Sequence, residues 1–316
     1  MKIGFIGLGN VGGKLAHSLL RNKFELTVRD LDENLTKDFK NKGAKIANSP
    51  KELAQQVDLI ITCLPSPKIC AEVMEGNEGV IAGISKNKIW LEMSTTDEVE
   101  VKRLGTRVQE LGGEALDCPV SGGCHRAETG NISIFAGGER SSFEKILPVL
   151  KVLGRNILHT GALGSASVLK VLTNYLATAN LVTLCEALTT AKMAGMDLST
   201  TYEAIRISSG NSFVHETESQ VILNGSRDIN FTMDLVLKDI SLFQSIAERA
   251  GVPLEVSPLL IDIFKDGEQR YGSREWSSNI IRRLEDACET QILASGFPEQ
   301  MTDDEPEVSG EEVVVQ

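Results

Sequence analysis

Positive charge is in short supply. Lysine and arginine number 32 against 44 aspartates and glutamates, a formal net charge of -12. A nucleic-acid binder shows the opposite, a basic patch or stripe, and the balance argues against that class. Part of the negative charge sits in the last residues, so the folded body is less acidic than the total. Paired cysteines are also missing. Cys63, Cys70, Cys118, Cys124, Cys185 and Cys288 are scattered, with no C-x-x-C pair and no zinc spacing. Most lie in apolar runs and read as small hydrophobes of a reducing compartment, and no metal site is expected. No internal repeat is visible. The most apolar run, residues 161–197, is interrupted by Lys170, Asn174 and Asn180, which argues against a membrane span. A strand begins at Lys2, so no signal or transit segment is expected. These absences describe a soluble cytoplasmic protein with neither nucleic acid nor membrane as partner.

What is present is an ordinary globular composition, 41% hydrophobic and 24% charged, over 316 residues. That length has room for two domains. The first stretch is specific. KIGFIG is a short apolar strand running into Gly7-Leu8-Gly9-Asn10-Val11-Gly12, followed by a helical pattern with Leu15, Ala16, Leu19 and Leu20 on one face. A second strand, 24–29, ends at Asp30. Strand, glycine turn, helix and strand form the context that a dinucleotide fingerprint requires. Gly7 makes the tight turn, Gly9 admits the pyrophosphate to the backbone, and Gly12 lets helix and strand pack. The helix N-terminus then favours the pyrophosphate's charge. Asp30 stands where a carboxylate accepts hydrogen bonds from ribose hydroxyls and repels a 2′-phosphate, which points to NAD. Arg29 beside it leaves NADP open.

Alternating strands and helices continue. Strands are expected at 44–47, 58–64, 89–93, 115–120, 131–138 and 156–160, with helices from Ser49-Pro50, at about 97–111 and at 141–153. Leu64-Pro65 and Ser94-Thr95 lie at strand ends, where such sheets bind ligands; Ser94 and Thr95 also suit plain helix capping. Ser121-Gly122-Gly123 follows another strand, and reads either as a loop able to cradle a carboxylate or as a plain turn. Residues 161–197 form one long helix, apolar on nearly every face, in which Lys170 is the one formal charge between Arg155 and Glu186. Asn174 follows one turn later on the same face. A lone ammonium there either snorkels to the surface or is at work.

Beyond Asp197 helices are expected at 199–208, 233–250, 254–268 and 276–288. Lys238-Asp239 within the second reads by itself as a solvated face. From Gly296 the chain is acidic, contains two prolines and has no helical period, and is expected to be disordered. The expected organisation is an α/β Rossmann domain over 1–160, an all-helical domain over 161–295 with its long helix from about 164, and a tail over 296–316.

These motifs resemble the β-hydroxyacid dehydrogenase family, typified by 3-hydroxyisobutyrate dehydrogenase and tartronate semialdehyde reductase, over about residues 1–290. The nucleotide motif is matched by GFIGLGNVGGKLAHSLL, with Val11 where methionine is usual, and the substrate motif by DCPVSGGCHRAETGNISIFAGG. The catalytic motif is matched by Gly164, Lys170 and Asn174, with Thr173 where an asparagine is usual, and the lysine–aspartate pair by Lys238-Asp239. The resemblance implies Lys170 as general acid/base, Asn174 holding the substrate, and Ser121, Gly122 and Gly123 binding its carboxylate. It implies that Gly7, Gly9, Asn10, Val11, Gly12, Asp30, Leu64, Pro65, Thr95 and Lys238 serve the cofactor, with Lys238 at the nicotinamide end. It further implies a homodimer or homotetramer.

The expected reaction is NAD-dependent oxidation of a short β-hydroxy acid to its semialdehyde, or the reverse. Alcohol oxidation needs a base for the hydroxyl proton, and burial in an apolar helix disfavours the charged form of a lysine, which suits it to that task. A reductase of tartronate, succinic or sulfonated semialdehyde is the nearest alternative. Imine reductases share the plan but usually lack this lysine, and decarboxylating relatives need a longer helical domain. Non-catalytic relatives tend to lose the lysine. His125 or Arg126 offers positive charge to a second anionic group or a larger polar substrate, or both face solvent.

Overall fold

The computed structural model describes residues 1–315. The chain divides into two compact units, Met1–Lys170 with Asp303–Gln316, and Val171–Thr302. The first unit begins with β1 (Ile3–Ile6), α1 (Asn10–Arg21), β2 (Leu26–Arg29), α2 (Glu33–Asn41), β3 (Lys45–Ile46), α3 (Pro50–Gln56) and β4 (Leu59–Thr62). It continues through α4 (Pro67–Glu75), β5 (Ile89–Glu92), α5 (Glu98–Glu110), β6 (Glu114–Asp117) and β7 (Val120–Ser121). Then come α6 (Gly123–Thr129), β8 (Ser133–Gly137), α7 (Arg140–Leu153) and β9 (Asn156–Gly161). Helix α8 (Ser165–Met193) carries the chain into the second unit, which holds α9 (Leu198–Arg206), α10 (Phe213–Asn224), α11 (Met233–Ala250), α12 (Val256–Tyr271) and α13 (Arg282–Ala287). Strand β10 (Glu311–Glu312) returns to the first unit.

The sheet runs β10-β9-β8-β6-β5-β4-β1-β2-β3, with β7 paired to β8. Its pairs are parallel except β6–β8 and β7–β8. Strand residues alternate faces. Ile3, Phe5, Leu59, Ile61, Ile89 and Leu91 join the cluster of α1 and α7. Ile60, Trp90 and Ala115 join that of α3, α4 and α5. Burial on both faces explains why these strands read as continuous apolar runs. Strand β1 pairs with β2 on one side and β4 on the other. The chain thus reverses direction across the sheet at β1, where doubly wound folds bind ligands beyond the strand ends. This is the Rossmann-type arrangement, and it is followed by a helical unit built around Leu184, Leu188, Ile222, Val236, Ile240 and Phe264.

Three expectations need correction. The long helix begins at Ser165, because residues to Gly161 complete β9 and Gly164 is left-handed, with φ +91°. By contacts the chain divides inside α8, after Lys170. Residues 276–288 are a 3-10 turn, Ser277–Ile281, followed by α13. Ser278 there donates to the Arg227 carbonyl (2.6 Å), a tertiary bond to a distant loop that fixes this turn in place of a continuous helix. The tail carries a strand where disorder was expected: β10 pairs in parallel with β9. Absence of a helical period excluded a helix there but not an edge strand.

Helix α8 is the one helix among the described residues that is long and apolar enough to cross a membrane by length and composition. Lys170 and the two asparagines are too few to lower its mean hydropathy further.

Candidate active site

The glycine turn follows β1. Gly7 has φ +95°, and a Cβ there would stand 2.2 Å from the Cys63 carbonyl. A Cβ on Gly12 would stand 2.1 Å from the Gly7 carbonyl, so α1 can lie this close to the turn only with glycine. Around Gly9 nothing lies within 4 Å of a Cβ position, which leaves the backbone open to a ligand. Gly9 and Asn10, the first residue of α1, are exposed, and Val11 packs on the core. Asp30 accepts the Leu8 N–H (2.6 Å) and the Asp32 N–H (2.9 Å), tying the end of β2 to the turn. This cradle fits a dinucleotide. The half-buried Arg29 keeps its Nε without a hydrogen-bond partner.

The turns after β4 and β5 are joined through a carboxylate that the sequence reading missed. Glu92 is fully buried, accepting from Thr62 Oγ1 (2.6 Å), Cys70 Sγ (2.9 Å) and the Ser94 N–H (2.7 Å). Ser94 Oγ in turn accepts the Leu64 N–H (2.7 Å). Burial pushes the Glu92 carboxyl up against the pull of these bonds. Leu64, Pro65 and Thr95 therefore sit on two turns locked to each other. Ser94 does not cap α5. Asp97 does, accepting from Val99 N–H (2.7 Å).

Ser121 ends β7, and Gly122 and Gly123 take φ +134° and +87° at the start of α6. His125 folds back so that its Cε1 lies 2.8 Å from a Cβ position on Gly123. Burial, then the adjacent Arg126, lowers the pKa of His125. Arg126 Nη2 lies 3.9 Å from Glu305, so its charge is turned to the tail. Neither residue stands free in solvent.

Lys170 is 7% exposed on α8. The first turn of that helix is held by Asp117 at the end of β6, another residue whose part the sequence did not disclose. Its Oδ1 accepts the Gly164 N–H (2.7 Å), and its Oδ2 accepts the N–H and hydroxyl of Ser167 (both 2.7 Å). An anion at a helix N-terminus meets the unpaired N–H groups and the positive dipole end. Burial raises the Asp117 carboxyl nonetheless. Because Cys118 to Gly123 follow directly, one carboxylate fixes both the glycine turn's strand and the helix bearing Lys170.

In the second unit Asn174 Nδ2 donates to Asp239 Oδ2 (2.6 Å), and Lys238 Nζ pairs with Asp239 Oδ1 (2.9 Å). Asp239 is 1% exposed and Lys238 is half-buried. The pair is not the solvated helix face that its sequence suggested. No spacing along the chain foretells that residues 174 and 239 share a hydrogen bond. Among the described residues no three His, Cys, Asp or Glu side chains are grouped to hold a metal.

Residues 2–161 match the model of the NAD-binding domain of 6-phosphogluconate dehydrogenase, and residues 164–284 that of the NAD-binding domain of NADP-dependent 3-hydroxyisobutyrate dehydrogenase. The 2-(hydroxymethyl)glutarate dehydrogenase of Eubacterium barkeri is 33% identical, over 94% of this chain and 98% of its own. The NAD-dependent L-serine dehydrogenase of Pseudomonas aeruginosa is 29% identical, over 92% of this chain and 99% of its own. The crystal structure of a 3-hydroxyisobutyrate dehydrogenase from Salmonella typhimurium superposes with a TM-score of 0.81 at 25% identity, covering 90% of this chain and 99% of that one. The chain belongs to the 3-hydroxyisobutyrate dehydrogenase family and is an NAD(P)-dependent oxidoreductase acting on the CH–OH group of small hydroxy acids.

Proposed function

We propose that the enzyme interconverts a short β-hydroxy acid and its semialdehyde, with Lys170 as general acid/base and NAD preferred over NADP. The observation that carries this reading is a buried lysine on an apolar helix whose first turn is anchored by Asp117. In the oxidative direction Lys170 takes the hydroxyl proton as the carbinol C–H bond breaks. The bound nicotinamide supplies the hydride acceptor. Ser121, Gly122 and Gly123 hold the substrate carboxylate, and Asn174 holds the substrate beside Lys170, its amide oriented by Asp239. The glycine turn, Asn10, Val11, Leu64, Pro65, Thr95 and Lys238 serve the cofactor. Asp30 supports NAD, since a carboxylate there repels a 2′-phosphate.

The relatives' names support a small hydroxy acid as the substrate, hydroxymethylglutarate, serine and 3-hydroxyisobutyrate being theirs. Absorbance of the reduced nicotinamide, followed over a panel of such acids and of tartronate, succinic and sulfonated semialdehydes with NAD and NADP, tests the reading. Turnover of at least one with NAD is expected; cofactor binding without turnover of any compound, in either direction, contradicts it.

The enzyme is further proposed to work in the cytoplasm as a homodimer or homotetramer. Helix α8 supports the assembly: much of its apolar surface is left uncovered within the chain, and Leu176 is 58% exposed. An apolar face of this kind is covered by another subunit or by a membrane.

A further inference from the structure

Helix α6 has seven residues, too few to hold itself, and its N-cap Gly122 and first residue Gly123 are glycines, which restrain the backbone least. Its position must come from its neighbours. Helix α1 supplies one side, through Lys14 to Glu128 (2.8 Å) and Arg21 to the Glu128 carbonyl (2.7 Å). The acidic tail supplies the other. Asp303 accepts from Thr129 Oγ1 and from Asn131 Nδ2 (2.7 Å) at the C-terminal end of α6. Asn131, 3% exposed, also donates to the Glu305 carbonyl (3.0 Å). The Glu305 side chain pairs with Arg155 and faces Arg126 of α6 itself. Glu307 meets Arg21 (3.4 Å) and Asn22 (3.3 Å) at the end of α1.

Exposed ion pairs are weak one by one. Here they are backed by a built anchor, which makes each contact intramolecular at high effective concentration. The Gly310 N–H donates to the Lys151 carbonyl (2.7 Å) and Val313 N–H to the Ile157 carbonyl (2.8 Å), on either side of the β10–β9 pairing. Arg140 Nη2 donates to Glu312 (3.0 Å). Gly310 is buried, and a Cβ on it would stand 2.0 Å from the Gly154 carbonyl, so this approach accepts no other residue.

We propose that the C-terminal segment from Asp303 is a strap that fixes α6, and through it the Ser121–Gly122–Gly123 turn, so that Asp303 and Glu305 are positioning residues for substrate binding. The proposal rests on the reading of that turn as the carboxylate site. It differs from a generic stabilising tail in acting on the affinity for the acid and not on that for the cofactor.

The test compares the full chain with Gly310→Val, with a chain ending at Thr302 and with the isosteric double variant Asp303→Asn/Glu305→Gln. It reads backbone hydrogen exchange over 121–131 together with kcat and both KM values. We expect faster exchange over 121–131 in all three variants. KM for the hydroxy acid should rise about tenfold, the scale of one lost charge-assisted hydrogen bond. KM for NAD and kcat at saturation should be nearly unchanged, and a synthetic peptide of residues 303–316 should lower the raised KM of the truncated chain. Should truncation prevent folding, the double variant decides. Unchanged exchange over 121–131, or an unchanged KM for the acid, overturns the strap. Ser121→Ala separates the two layers: if it raises KM while the tail variants do not, the strap alone fails; if it too leaves KM unchanged, the reading of the turn fails and takes the strap with it.

Discussion

Asp117 accepts three hydrogen bonds at the start of α8, from Gly164 and Ser167, three residues before Lys170. Replacing it by asparagine keeps the size, removes the charge and turns one acceptor into a donor facing N–H groups. Asp117→Asn is therefore expected to lower kcat about a hundredfold, the scale of an ångström's misplacement of a catalytic group. KM for NAD should stay near wild type, as steady-state kinetics on the purified variant would show. A different carboxyl sets a pH dependence of stability. Glu218 on α10 is half-buried, with Oε2 sealed from solvent and without a partner, and desolvation pushes its pKa up to about 8. A carboxyl raised in the folded state binds its proton more tightly there than in the unfolded chain. Its burial costs nothing below the unfolded value near 4.5, and the cost grows until pH passes about 8. Glu218→Gln should melt with the wild type at pH 5 and above it at pH 9. The gain should be on the order of 1–3 kcal/mol, the penalty on the ionised carboxylate that a neutral amide avoids. Equal shifts at both pH values would mean that Glu218 is not protonated in the fold.

At the scale of elements, the glycine turn is the part that sequence disclosed most fully, because each glycine's reason is local. Gly12→Val should abolish NAD binding, read by quenching of protein fluorescence or by calorimetry, since its Cβ would collide with the Gly7 carbonyl at 2.1 Å. The strands were legible from apolar runs, and α3 from Ser49-Pro50, where Ser49 does accept the Glu52 N–H (3.1 Å). Helix α4 carried the same signal in Ser66-Pro67 and went unread, although Ser66 accepts the Ile69 N–H (3.3 Å). Helix α6 was hidden by its glycines, which punctuate a turn on any local reading. Helix α10 was hidden by burial on most of its faces, which erases the period that marks a surface helix. Asp117, Glu92 and Asp239 were invisible as positioning groups for another reason. Each acts across a separation in sequence, 47 to 50 residues from Asp117 to Gly164 and Ser167 and 65 from Asn174 to Asp239, that no spacing rule reaches.

For the whole molecule, family membership accounts for the reaction class, while the tail and the half-covered α8 are features of this chain's own surface. The assembly proposed from α8 should appear in sedimentation equilibrium as a dimer or tetramer that Leu176→Glu, a charge set on the exposed apolar face, shifts toward monomer. A wild-type protein that stays monomeric throughout would leave that face to some other cover. The acidic tail misled the sequence reading because charge and proline content describe how a segment fares alone. Its order comes from arginines elsewhere in the chain, Arg21, Arg140 and Arg155, and from a free sheet edge at β9. The central claim rests on one side chain. The most direct measurement is single-turnover hydride transfer by wild type and Lys170→Ala, each saturated with NAD and with the best acid of the panel. Cofactor affinity would be measured alongside. The account predicts NAD binding within a few-fold of wild type and a transfer rate lower by at least about a hundredfold, the worth of a general base. Transfer at the wild-type rate in Lys170→Ala would contradict it.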